Sequence, residues 1–152
     1  MTNKENKMKN HTYLAGPMED CTLDHMTGWR QYASESLDAA DIEVLDPTRR
    51  VSFHDQLGAT LQDITKTTNI CKRIFKQDLH DIASSRVILA DVRRDSGRGT
   101  GTSMELMFAH MKNKNIILWA DEGDFVHPFL EAMATEKHYS LEEAVEAVKE
   151  YY

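Results

Sequence analysis

The chain has 152 residues, a length that buries one hydrophobic core and leaves no room for a second domain. Hydrophobic residues at 41% and charged residues at 28% match ordinary globular chains and exclude disordered, collagen-like and disulfide-scaffold classes. The 18 basic and 25 acidic residues give a formal charge of -7, which argues against duplex nucleic acid or an acidic membrane as partner.

The longest purely apolar run, residues 116–120, falls far short of the roughly 20 residues of a membrane helix. Residues 1–10 are polar and basic without an apolar stretch, so they read as a frayed tail rather than a secretory signal, and one domain is expected over 11–152. Cys21 and Cys71 belong to no CxxC or CxxH pair. They supply neither a disulfide framework nor a zinc ligand set, and a reducing cytoplasm is the expected compartment.

In chain order, residues 11–15 predict a strand that stops at the Gly16-Pro17 turn. Residues 23–40 predict a helix with Trp29, Tyr32, Ala33 and Leu37 on one apolar face. Residues 42–45 predict a second strand ending at Asp46-Pro47, and 48–68 a long loop with some helix. A helix follows over 69–83, where Ile70, Ile74, Phe75, Leu79 and Ile82 recur three to five apart. Residues 87–91 are apolar almost throughout, as a buried parallel strand is. A glycine-rich loop (93–101), a helix (103–112), a fourth strand (116–119) and a short helix (128–133) come next. The last helix starts at Leu141, signalled by the Ser140 and Glu143 capping box. Short strands alternating with amphipathic helices predict an α/β fold with a doubly wound, mostly parallel sheet. The prolines and most glycines follow strands, which puts irregular backbone at the carboxyl edge of the sheet, where such folds bind ligands.

Gly97, Gly99 and Gly101 run into a helix, but no Gly-Lys-Ser/Thr follows and Met104 stands where a dinucleotide fingerprint requires its third glycine. ATP and NAD are disfavoured. Glu105, three residues after Thr102, is either the partner in a capping box or an ionised carboxylate at the ligand edge and hence a nucleophile candidate. Asp46, Asp78, Asp91 and Asp95 are the other carboxylates placed near that edge. Paired carboxylates suit glycosidic chemistry, one attacking the anomeric carbon while another manages the proton of the leaving group. Met104, Met107 and Met111, at helical spacing, read as core and interface filling, and Trp29 and Trp119 as core.

Taken together, Tyr13-Leu14-Ala15-Gly16-Pro17, Asp46-Pro47, Ile82-Ala83-Ser84-Ser85, Asp91 and Gly101-Thr102-Ser103-Met104-Glu105 resemble, in order and spacing, the nucleoside 2-deoxyribosyltransferase family. The Trp29-Arg30 pair is most similar to its short bacterial and phage-borne members. The resemblance implies a flavodoxin-like, Rossmann-like single domain that moves a 2'-deoxyribosyl group between nucleobases, with retention, through a covalent glycosyl-enzyme intermediate. It implies no cofactor and no metal. It makes Glu105 the nucleophile, Tyr13 the residue that hydrogen-bonds and orients it, Asp78 the acid that protonates the base, and Asp95 a base contact. Gly16, Pro17, Asp46, Gly99, Gly101, Thr102 and Met104 would line the substrate. It also implies a homo-oligomer, a dimer or hexamer, whose sites are completed by a neighbouring subunit; the corresponding stretch here is His127-Pro128-Phe129, not the family's asparagine and methionine.

Two alternatives stay open at this level. Arg93, Arg94 and Arg98 crowd the glycine loop and with His127 suit a 5'-phosphate, as in the related hydrolases of deoxynucleoside 5'-monophosphates, although Gly16-Pro17 replaces the Gly-Ser usual in their phosphate loops. A sensor that binds a nucleotide-derived signal without turnover would need the same sheet but no reactive Glu105. In the oligomer that the resemblance implies, the Glu150-Tyr151-Tyr152 terminus is a candidate to approach a site shared with a neighbouring subunit.

Overall fold

A computed structural model describes residues 10–18, 21–51, 68–94 and 99–152. The elements are β1 (His11–Ala15), α1 (Leu23–Asp38), β2 (Glu43–Leu45), a 3-10 helix (Pro47–Val51), α2 (Thr68–Ser84), β3 (Val87–Asp91), α3 (Thr100–Met111), β4 (Asn115–Trp119), α4 (Pro128–Met133), β5 (Glu136–His138) and α5 (Leu141–Lys149). Residues 1–9, most of the expected 48–68 loop, and Asp95 and Arg98 lie outside the described residues.

The five strands pair in parallel in the order β2-β1-β3-β4-β5, the flavodoxin-like arrangement of a doubly wound sheet. From β1 the chain moves outward to β2, and from β3 it moves the other way to β4. Their shared boundary is therefore a topological switch point, and the crevice beyond the carboxyl ends of β1 and β3 is where the fold places ligands.

Strand alternation sends Leu14, Val87, Leu89 and Ile117 to one face, where they pack with Trp29, Ala33 and Leu37 of α1 and Ala144, Val145 and Val148 of α5. Tyr13, Ala15, Ile88, Ala90, Ile116 and Leu118 point to the other face, against Ile82 of α2 and Leu106 and Ala109 of α3. With both faces covered, β1 and β3 are buried along their full length. Trp29 and Trp119 are in this core, their ring centroids 6.0 Å apart.

Several expectations are corrected. Helix α3 starts at Thr100 with Gly99 as its N-cap, not at residue 103, so Thr102 sits inside the first turn and caps nothing. Strand β5 is unanticipated because its three residues, Glu-Lys-His, are polar and half-buried at the sheet edge. Met104, Met107 and Met111 are exposed at 63%, 50% and 69%, so they fill no core of this chain. Tyr32 is likewise exposed. Within the chain, the Tyr152 hydroxyl donates to the His11 carbonyl at the amino end of β1, and Arg86 Nη1 donates to the Tyr151 carbonyl at 2.8 Å. Ser140 caps α5 as expected, its Oγ accepting from Glu143 N at 3.2 Å. Among the described residues, no helix is long and apolar enough to cross a membrane.

Candidate active site

Tyr13 stands at the middle of β1 on the face covered by α2 and α3, and it is wholly buried. Its hydroxyl donates to Glu105 Oε1 at 3.1 Å. Glu105 reaches this partner because it lies in the second turn of α3, whose amino end opens at the carboxyl edge of the sheet. With Gly99 as the N-cap, Glu105 is held by Tyr13 instead of forming half of a capping box with Thr102. Asp78, on α2, joins Glu105 in lining one cavity of about 250 Å³, together with Phe75, Leu79, Gly101, Met104 and Phe108. Two carboxylates from different helices and an apolar rim thus converge at one opening.

The electrostatics follow from burial. Desolvation, then the negative charge of Asp78, raises the Glu105 carboxyl to about 8, while the Tyr13 hydrogen bond and the Arg30 cation pull it down. Burial first, and then Glu105 and Asp78, hold the Tyr13 phenol well above its ordinary range, so Tyr13 keeps its proton and donates. At neutral pH the carboxylate pair therefore retains a proton, a property of the pair rather than of either member.

The remaining sequence-predicted residues separate into groups. Gly101 and Met104 line the cavity with the catalytic candidates. Gly16 and Pro17 form the buried turn after β1. A side chain at Gly16 would meet Trp29 Cζ2 at 2.9 Å and Arg30 Nη2 at 3.1 Å, so close packing demands glycine there. Asp46 is engaged locally: its Oδ1 accepts from Thr48 N at 2.8 Å and from Thr48 Oγ1 at 2.7 Å. Thr102 is buried in the first turn of α3, and Gly99 caps that helix and accepts from Ser103 N at 2.8 Å.

His127 and Phe129 are not brought to Glu105 within one chain. They line a separate groove of about 590 Å³ between α3 and α4, shared with Ser103, Met107, His110 and Met133. His127 caps α4, its Nδ1 accepting from Phe129 N at 3.2 Å. Arg93 is also committed elsewhere: its Nε and Nη2 each donate to an Asp91 oxygen at 2.9 Å, and its guanidinium stacks 3.8 Å from the Trp119 ring centre. Arg94 is exposed, and its backbone N–H donates to Asp124 Oδ2 at 3.0 Å.

Sequence reasoning gave no role to Phe75 and Phe108 as walls, or to Arg30 as a charge beneath the site. The available signal for Arg30 was a cation on the apolar stripe of α1, beside Trp29 and between Met26 and Ala33.

No protein-family profile and no curated protein sequence matches the chain. Solved structures do. A 2-deoxyribosyltransferase from Bacillus psychrosaccharolyticus superposes with a TM-score of 0.67 at 18% identity, covering 89% of this chain and 90% of that one. A 2-deoxyribosyltransferase from Leishmania mexicana gives 0.62 at 19% identity over 93% and 98% of the two chains. A CMP N-glycosidase from Clostridium botulinum gives 0.54 at 16% identity over 91% and 97%. With its parallel sheet order, its switch-point cavity and these structural likenesses, the chain has the nucleoside 2-deoxyribosyltransferase-like fold.

Proposed function

We propose that this chain transfers a 2'-deoxyribosyl group between nucleobases. The observation that carries the reading is the buried Tyr13–Glu105 hydrogen bond, whose Glu105 lines one cavity with Asp78. In the first step a Glu105 oxygen forms a bond to C1' of the sugar as the C1'–N bond breaks. The electron pair of that bond leaves on the base nitrogen, which takes a proton from Asp78. In the second step the nitrogen of an incoming base bonds to C1', gives its proton to Asp78, and releases Glu105 as a carboxylate. Two inversions give retention. Tyr13 donates to the Glu105 carboxylate before attack and after its release, and keeps the attacking oxygen aimed. No step calls on a metal or cofactor.

The cavity's 250 Å³ falls below the roughly 300–1,000 Å³ usual for small-molecule sites, and Met104 on its rim is 63% exposed. A second copy of the chain seated on the exposed Met104, Met107, Met111 and Phe129 surface would add the missing wall, making the active form a homo-oligomer. Met107→Glu, which places a charge on that surface, is expected to reduce both the solution mass and the activity. A wild-type protein that is monomeric at working concentration would count against the shared wall.

Hydrolysis of a nucleoside 5'-monophosphate is the second reading, favoured by the likeness to the CMP N-glycosidase. The Asp91 and Trp119 contacts of Arg93 weigh against it, because they already engage that guanidinium.

Chromatography separates the two. Thymidine with free adenine should yield deoxyadenosine with the wild type and none with Glu105→Ala. Base released only from deoxynucleoside 5'-monophosphates would install the hydrolase instead. Binding of a nucleoside without turnover of either substrate would leave a sensor.

A further inference from the structure

The cavity of Glu105 and Asp78 is built from one stripe of each of two helices. Helix α2 supplies Phe75, Asp78 and Leu79, and α3 supplies Gly101, Met104, Glu105 and Phe108, all at the three- and four-residue spacings that share a helix face. Both helices connect parallel strands, so both run against the strands and begin on the side of the carboxyl edge. At about 1.5 Å of rise per residue, Phe75 stands about 4.5 Å nearer that edge than Asp78, Gly101 about 6 Å nearer than Glu105, and Phe108 about 4.5 Å deeper than Glu105. The two carboxyls therefore form a belt, above which one wall carries an aromatic ring and the other carries no side chain.

Phe75 is 54% exposed, and Lys72, Arg73, Lys76 and Gln77 around it on α2 are exposed polar residues. Neither the core nor a wider apolar patch of its own helix accounts for an aromatic face at that point. Gly101 lies in the first turn of α3, where an added Cβ would meet nothing within 4 Å, so packing does not call for glycine as it does at Gly16. What the missing side chain does is keep the space between the two walls clear. We infer that the Phe75 ring is the platform on which the nucleobase stacks, entering through the space left open at Gly101. The inference rests on the proposed reaction and deepens it by naming what holds the base. Asp78, one turn deeper on the same stripe, then meets the edge of the stacked ring, where a base nitrogen takes its proton. A ring face reads the π-face that every base has, so the platform serves purines and pyrimidines alike.

The test measures binding apart from turnover. Deoxyadenosine and thymidine are titrated calorimetrically into the Glu105→Gln chain, which keeps the shape of the site and lacks the nucleophile. Adding Phe75→Leu should weaken both nucleosides about tenfold, whereas adding Phe75→Tyr, which keeps the ring, should hold both within about threefold. Gly101→Leu, which fills the open side, should weaken both by about tenfold or more. Phe75→Trp supplies a signal of its own: Trp29 and Trp119 are buried, and either nucleoside should quench the emission of the added, exposed indole. Affinity unchanged by Phe75→Leu, or an indole that is not quenched, overturns the platform and leaves the proposed reaction standing. Equal weakening by Leu and Tyr together with a fall in solution mass would make Phe75 an interface residue and likewise overturn it. No binding of either nucleoside by the Glu105→Gln chain overturns platform and reaction together. Binding that follows the Phe75 ring, with no transfer by the wild type, refutes the reaction and leaves the platform.

Discussion

The Tyr13 hydroxyl and Glu105 Oε1 lie 3.1 Å apart although 92 residues separate them in the chain. The bond spans strand and helix, and it links a phenol that keeps its proton to a carboxyl that burial raises to about 8. That makes the hydroxyl an obligate donor and gives Glu105 oxygens distinct surroundings. Tyr13→Phe removes the donor and leaves the backbone of β1 unchanged. It should raise the Glu105 midpoint and lower kcat by about 10- to 100-fold, the scale of one hydrogen bond to a charged group. Steady-state kinetics beside a titration of the Glu105 carboxyl would check both, and a full rate with Phe at this position would remove Tyr13 from the mechanism.

Glu105 also predicts a stability signature. Its folded value of about 8 lies above the ordinary 4.5, so the folded chain binds this proton more tightly than the unfolded chain does. The corresponding stability is fully present below about pH 4.5 and is lost as pH rises through about 8. A glutamine stays neutral and escapes the loss. Glu105→Gln should therefore abolish transfer, match the wild-type Tm near pH 4, and exceed it by about 3–6 °C near pH 9. Thermal melts followed by circular dichroism at both pH values make the comparison. A wild type more stable than the glutamine variant at alkaline pH would contradict the buried-carboxyl description.

The pH dependence of turnover has a definite sign on its alkaline side. The pair keeps its shared proton up to about pH 8, and above that point it has none for the leaving base. The expected kcat/KM for deoxynucleosides is flat near neutrality and falls tenfold per pH unit above that point. Asp78→Asn takes away the repelling charge, and the Glu105 midpoint should drop toward the ordinary carboxyl range. A rate that keeps rising beyond about pH 9 would exclude the shared proton.

Gly16 provides a packing test separate from chemistry. A methyl group there would sit 2.9 Å from Trp29 Cζ2, 3.1 Å from Arg30 Nη2 and 3.3 Å from Asp91 Cβ. Neither the indole nor the anchored guanidinium is a free side-chain end that swings aside. Gly16→Ala should cost about 1–3 kcal/mol in urea unfolding, as overpacking of a core does. The same change at Gly101, where an added Cβ meets nothing within 4 Å, should cost little.

The fold class was legible in the residues because it depends on local periodicity. The short strand-type runs 11–15, 87–91 and 116–119 and the stripes at Trp29, Ala33 and Leu37 and at Leu79 and Ile82 each report a buried side without reference to the rest of the chain. Glu105, Tyr13 and Asp78 were legible as candidates through their motifs and order. Strand β5 was not, since three polar residues at a sheet edge carry no period, and neither was the start of α3, where glycines serve as turn and cap alike.

Other properties exist only in three dimensions. The sequence by itself determined a single α/β domain with carboxylates at the carboxyl edge of its sheet. Only the tertiary structure decided that Tyr13 meets Glu105, that Asp78 shares its cavity, that Arg93 is held by Asp91, and that Arg30 is a buried charge beneath them. The physical reason is range. Periodicity is set by neighbours a few residues away, whereas desolvation and Coulomb interactions sum over every group nearby in space, whatever its position along the chain.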